Sequence, residues 1–153
     1  MYVLFELNIG GEKMKLLLIL VAVGLLWFIS LLHIYWAFGG RWGSAAAIPV
    51  TEGEHRPAFT PKKWGTLFVA ILILLASAII VVQGGYLQGF QANSLSKIGS
   101  IVCAFVFIIR AIGDFKYVGF LKKIKHSQFA KYDTWLYSPL CLFFGFVYSI
   151  LLF

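Results

Sequence analysis

Arg110-Ala-Ile-Gly-Asp114-Phe-Lys-Tyr117 follows directly on the apolar run from Ile98 to Ile109. The strictly apolar part of that run is too short to cross a bilayer, which takes about 20 residues. A third span must therefore extend over about 93–113 and take in Arg110. Charged side chains at membrane depth are costly, and they pair with each other or line a polar cavity. Arg110 and Asp114 stand at i, i+4, the spacing at which helix side chains meet. An aspartate at a helix C-terminus also opposes the macrodipole and needs a cation nearby. The spacing therefore predicts an Arg110–Asp114 ion pair closing the third span.

Working outward, three further apolar runs cover about 16–38, 64–83 and 136–153. Of the 153 residues, 61% are hydrophobic and 12% charged, where a soluble domain carries about 25% charged residues. Mean hydropathy is +0.89. These values predict an all-α fold, an antiparallel four-helix transmembrane bundle forming one domain over 14–153. Residues 1–13 read as a leader, because Met14-Lys15 immediately precedes the first run and offers an alternative start. The first run is longer than a signal-peptide core, and Ala45 to Ala47 lies beyond Arg41, so an uncleaved helix is expected. Pro139 falls in the first turn of the fourth run, where proline is tolerated.

The net charge is +7. The basic residues sit between the apolar runs and no nucleic-acid-binding motif accompanies them, so the expected partner is the lipid bilayer, not nucleic acid. Lys122, Lys123 and Lys125 are assigned to anionic lipid headgroups. The connections after the first and third spans carry Arg41, Arg56, Lys62, Lys63, Lys116, Lys122, Lys123, Lys125 and Lys131, against Lys13, Lys15 and Lys97 on the other side. Positive residues gather in the cytoplasm, which puts both termini outside the cell. Homo-oligomerisation stays open.

Four spans then bring one set of polar residues to one face: His33, Trp36 and Arg41 at the end of the first span, Arg110 and Asp114 at the end of the third, Tyr137 and Ser138 at the start of the fourth. Of these, His33, Trp36, Arg41, Arg110, Asp114 and Tyr137 are the candidate ligand-binding residues, and the opposite face reads as bland. His33 and Asp114 are the candidate acid/base pair. A structural clamp is the competing reading of Arg110 and Asp114, as an aromatic belt is for Tyr35, Trp36 and Trp42. His33, His55 and His126, with Glu52, Glu54 and Asp133, match no metal motif, so no metal or other cofactor is expected. Cys103 and Cys141 lie at different depths and read as buried thiols.

His33-Ile-Tyr-Trp-Ala-Phe-Gly-Gly-Arg-Trp-Gly43, Ile48-Pro49, Phe59-Thr-Pro61, Arg110-Ala-Ile-Gly-Asp-Phe-Lys-Tyr-Val-Gly-Phe120 and Tyr132-Asp-Thr-Trp-Leu-Tyr-Ser-Pro-Leu-Cys141 together resemble one protein family. It is a family of small four-helix bacterial membrane proteins known only as a domain of unknown function. The resemblance runs from Met14 to the C-terminus. It implies the four-helix fold and points to the same residues, without supplying a chemistry.

Three classes of function follow. The leading one is a membrane protein with a polar pocket at the cytoplasmic end of the bundle, holding a lipid-like or amphipathic small molecule. The second is an enzyme using His33 and Asp114 for proton transfer on a lipid-soluble substrate, with Arg110 holding an anionic group. The third is a structural or accessory subunit whose polar residues only lock the helices.

Overall fold

The computed structural model describes residues 2–51, 57–87 and 89–153, with side chains from residue 11 onward. Among the described residues the regular structure is all helical, apart from an isolated bridge between Val50 and Pro57. Helix α1 spans Tyr2–Ala37, α2 Ser44–Ala47, α3 Lys63–Gln83 and α4 Ser94–Ile112. Helix α5, Gln128–Tyr132, passes into a π turn, Asp133–Tyr137, and then into α6, Ser138–Ile150.

Three stretches are long and apolar enough to cross a membrane: Gly11–Ala37, Lys63–Gln83 and Ser94–Ile112. In each, only 22% of the most apolar window is buried within the protein, so most of the apolar surface faces outward. Leu20, Trp27 and Leu31 on α1, Phe68 and Leu72 on α3, and Phe105 and Val106 on α4 are all exposed. Apolar surface on this scale suits lipid, not water, and gives the chain the character of a multi-pass membrane protein.

Small residues let the helices approach. Helix α1 packs mainly on α3, and α4 on α6. Ala22, Ala76 and Ala104 sit in the core with Ile19, Leu26, Ile80, Phe144, Val147 and Tyr148. Side-chain hydroxyls bond across the helices where no water is available. Ser30 Oγ donates to the Ala70 carbonyl at 3.0 Å, joining α1 to α3. Tyr148 Oη donates to the Ala76 carbonyl at 2.6 Å, joining α6 to α3. The end of the bundle read as bland carries a clamp of its own. Ser96 Oγ donates to Gln83 Oε1 at 2.7 Å, and Gln83 Nε2 donates to the Leu151 carbonyl at 3.2 Å. The third run starts where its sequence suggests: the Asn93 side chain accepts from the Ser96 N–H while Ser96 Oγ accepts from the Asn93 N–H, a reciprocal cap.

The fourth run differs from expectation in where it begins. Its helix starts at Gln128, not near Leu136, with Ser127 Oγ accepting from the Ala130 N–H. Pro139 does stand in the first turn of α6, as expected, but the helical path arrives there from α5 through the π turn. A proline ring clashes with the carbonyl four residues before it and cannot donate to it. The chain accommodates this by inserting one residue: the Ser138 N–H bonds to the Asp133 carbonyl, five residues back, which makes the π turn. From Gln128 to Ile150 the helical path is unbroken, roughly 34 Å at 1.5 Å per residue.

Candidate functional site

The ion pair expected between Arg110 and Asp114 does not form. Arg110 Nη2 instead bonds Asp133 Oδ1 at 2.9 Å. Asp114 lies past the end of α4, where Oδ1 accepts the N–H groups of Lys116, Tyr117 and Val118 at 2.9, 2.7 and 2.9 Å. The reason is local. Gly113, at φ 97°, breaks the helix before Asp114, so the i, i+4 geometry never reaches it. A short aspartate after a helix end readily closes a turn on backbone donors instead.

Desolvation is the largest single influence on the Asp114 carboxyl and raises its pKa, but the backbone N–H bonds together outweigh it and hold the value below the ordinary carboxylate range. A depressed folded value contributes stability above the unfolded pKa, and that contribution is lost as pH falls through the lower folded value. Asp114→Asn is therefore expected to flatten the acid limb of a melting-temperature profile below the ordinary carboxylate range. An unchanged acid limb would refute it.

The buried carboxylate is that of Asp133, whose side chain is fully enclosed. Oδ1 takes Arg110; Oδ2 takes the Gly119 N–H at 2.7 Å and Lys122 Nζ at 3.0 Å. Lys122 is correspondingly not a headgroup ligand. Its ammonium is buried and donates to the Gly119 carbonyl at 2.9 Å, Asp133 Oδ2, and Thr134 Oγ1 at 2.6 Å. A buried carboxylate needs cations and N–H donors to replace lost hydration, and this captures the lysine. Lys123 and Lys125 remain exposed.

The segment 113–121 delivers Lys122. It folds back on the end of α4, with the Phe120 N–H on the Ala111 carbonyl at 2.9 Å and the Asp114 N–H on the Val118 carbonyl at 3.2 Å. Gly113 and Gly119, both at positive φ, touch backbone to backbone where these strands of chain cross.

His33 and Trp36 belong to a different feature. A cleft of about 690 Å³ lies between the end of α1 and the start of α3. Its walls include Trp36, Phe59, Pro61 and Val69, and its polar lining His33, Lys62, Lys63 and Thr66. The Ala58 N–H bonds the Pro49 carbonyl at 2.8 Å, which returns Phe59 to Pro61 to the end of α1. His33 Nδ1 lies 2.8 Å from the Ile29 carbonyl. A carbonyl only accepts, so Nδ1 carries the proton and Nε2 is the ring atom left for a ligand. Trp36 meets the His33 ring edge-on at 5.3 Å, and its Nε1–H donates to the Trp42 carbonyl at 2.8 Å. Lys62 caps α3 without any side-chain hydrogen bond, so the positive end of a 21-residue helix dipole opens here. Lys63 Nζ sits 4.7 Å over the Phe38 ring. Among the described residues, no acidic side chain lines the cleft.

The candidate residues thus meet at one end of the protein but divide into two groups. Arg41, Arg110, Asp114 and Tyr137 do not line the cleft. Tyr137 stacks near Tyr132 and donates to the Ala46 carbonyl at 3.3 Å, tying the π turn to α2. Glu52, Glu54, His55 and Arg56 lie outside the described residues, and among those described no cluster of metal-ligating side chains forms. Both cysteines are free thiols. Sequence reasoning missed Lys62, Lys63 and Thr66, although their place at the start of an apolar helix is a visible signal for anions. It also passed over Asp133 as a partner for Arg110, which only a fold could bring together.

A model of the family described as "Protein of unknown function (DUF3995)" matches residues 16–148. No curated protein and no solved structure matches the chain.

Proposed function

This chain belongs to that uncharacterised family, and we propose, from its geometry, that it is a four-span membrane protein binding an anionic amphipathic small molecule in the cleft between α1 and α3. The run from Gln128 to Ile150 serves as the fourth span, antiparallel to α4. The cleft end faces the cytoplasm, with both termini outside. Eight of the basic residues assigned to that side by sequence support this once Lys122, held by Asp133, is set aside.

The observation that carries the reading is the lining of the cleft. Aromatic and aliphatic walls suit a hydrocarbon, while Lys62, Lys63 and the uncapped end of α3 supply positive potential at the rim. Its volume falls within the usual range for small-molecule sites, about 300–1,000 Å³. With Nδ1 turned to the Ile29 carbonyl, His33 leaves Nε2 free to meet a ligand hydroxyl. No observation favours the acid/base pairing of His33 with Asp114, because the Asp114 carboxylate is engaged with its own turn.

Purified protein examined by native mass spectrometry is expected to retain an anionic amphiphile. The double variant Lys62→Ala, Lys63→Ala should lose it with at most a small change in melting temperature, since both side chains are exposed. Affinity should fall about tenfold or more, as expected for one or two charge-assisted contacts. Equal retention by wild type and variant, or only bulk lipid on both, would defeat the proposal.

A further inference from the structure

Where α4 leaves its membrane-crossing stretch, the chain turns back on itself instead of moving away. The Phe120 N–H bonds the Ala111 carbonyl at 2.9 Å, and the Leu121 N–H bonds the Ile112 carbonyl at 3.3 Å. Both carbonyls belong to the last turn of α4. Phe120 and Leu121 therefore stand at the depth where the helix ends, at the bilayer boundary. Both are exposed. The Ile124 N–H in turn bonds the Lys116 carbonyl at 3.1 Å. That bond brings Lys116 beside Lys123 and Lys125, which flank Ile124 in sequence, and all three lysines are exposed.

Phe115, next to Lys116, is strained. Its φ is 61°, the only positive value at a residue other than glycine among the described residues. A bulky side chain rarely occupies this region, and such strain persists only where the surroundings impose it. Here the Asp114 carboxylate imposes it by holding the N–H groups of Lys116, Tyr117 and Val118. Glycine would take the same turn at no steric cost. Phenylalanine adds strain, and with 57% of its surface exposed it packs little against the protein. Internal packing does not account for it. An aromatic ring beside lysines at a span end does suit the boundary between headgroups and acyl chains.

We propose that this segment binds anionic phospholipid at the membrane boundary, with Lys116, Lys123 and Lys125 on the headgroup phosphates and Phe115, Phe120 and Leu121 in the upper acyl region. The exposed charges from Asp114 to Lys125 are three lysines against Asp114, so the segment is positive. An anionic headgroup answers that charge; a zwitterionic one does not. Lys122 takes no part, because Asp133 holds it. None of these residues lines the α1–α3 cleft, so the site stands independently of the ligand proposed there.

The test uses the full chain carrying Lys62→Ala and Lys63→Ala, which keeps the cleft from contributing, in maltoside detergent. Native mass spectrometry follows titration with dioleoyl phosphatidylglycerol and, separately, with dioleoyl phosphatidylcholine. Phosphatidylglycerol is expected to bind about tenfold tighter or more, because each lysine near an anionic headgroup adds its own attraction. Replacing Lys116, Lys123 and Lys125 by Gln should erase the preference. Replacing Lys13, Lys15 and Lys97 by Gln removes the same charge elsewhere and should preserve it. Phe115→Gly should weaken both lipids alike, keep their ratio, and show no fall in melting temperature in lipid-free detergent. A residue that only holds the fold would not give that combination. Equal affinity for the two lipids would overturn the site. So would a preference that survives in the Lys116, Lys123 and Lys125 variant or disappears in the charge control. A Phe115→Gly protein that melts lower, or that binds both lipids as tightly as before, would overturn it as well.

Discussion

Asp133→Asn is expected to cost about 3–5 kcal/mol of stability, the usual range when one partner of a buried ion pair is removed. Lys122 is almost wholly enclosed, with its side chain 2% exposed, and would be left without its counterion. Arg110 contributes less, because its side chain is a third exposed and screening reduces its share. The same substitution weakens the acceptor for the Gly119 N–H, so the segment that carries Lys122 loosens as well. Replacing all three charges by leucine should be better tolerated than this single change, since no lone charge remains buried. Asp114→Asn should do far less, because an amide oxygen can still accept the turn N–H groups. Reversible unfolding in detergent ranks the four proteins. Equal stability of Asp133→Asn and wild type would show that the buried cluster does not hold the fold.

Gly119→Ala is expected to destabilise by about 3 kcal/mol, with Gly113→Ala close behind. Two causes add. Gly119 and Gly113 sit at φ 87° and 97°, where a side chain costs on the order of 1–3 kcal/mol. A Cβ at Gly119 would also run into Gly113 and the Ile112 carbonyl, and one at Gly113 into the Val118 carbonyl. These are backbone atoms and cannot swing aside. Gly39→Ala separates the causes: its φ is 91°, but nothing lies near its missing Cβ, so only the conformational cost applies. A Gly119→Ala melting temperature equal to that of Gly39→Ala would remove the packing part of the explanation.

Membrane character was legible from composition and run length alone, because a bilayer demands about 20 apolar residues per crossing whatever the rest of the fold does. Lys63–Gln83 and Ser94–Ile112 fall within one residue of the runs read from sequence. Local chemistry marks those ends: Asn93 with Ser96 at the start of α4, and Gly113 at its end. Of the residues expected to converge, His33 and Trp36 line one cleft, while Arg41, Arg110, Asp114 and Tyr137 do not.

Partner choice was not legible. Spacing along a helix offered Asp114 to Arg110, but the contest was decided by desolvation, and only packing tells which carboxylate is shut away from water. Asp133 is buried and must be neutralised; Asp114 is exposed and can be satisfied by its own backbone. The same competition took Lys122 out of the basic connection, 11 residues before Asp133, while Lys123 beside it stayed outside. Pro139 stands in the first turn of α6 as expected, but the helical path before it was not legible, for a related reason. By itself it permits either a helix start or a distorted interior, and the tertiary structure chose the π turn, which keeps both Asp133 and Ser138 on the buried face. The sequence determined that the chain is built on long apolar helices, although it read four crossing runs where three helices are long and apolar enough; packing across those helices decided which charges face each other.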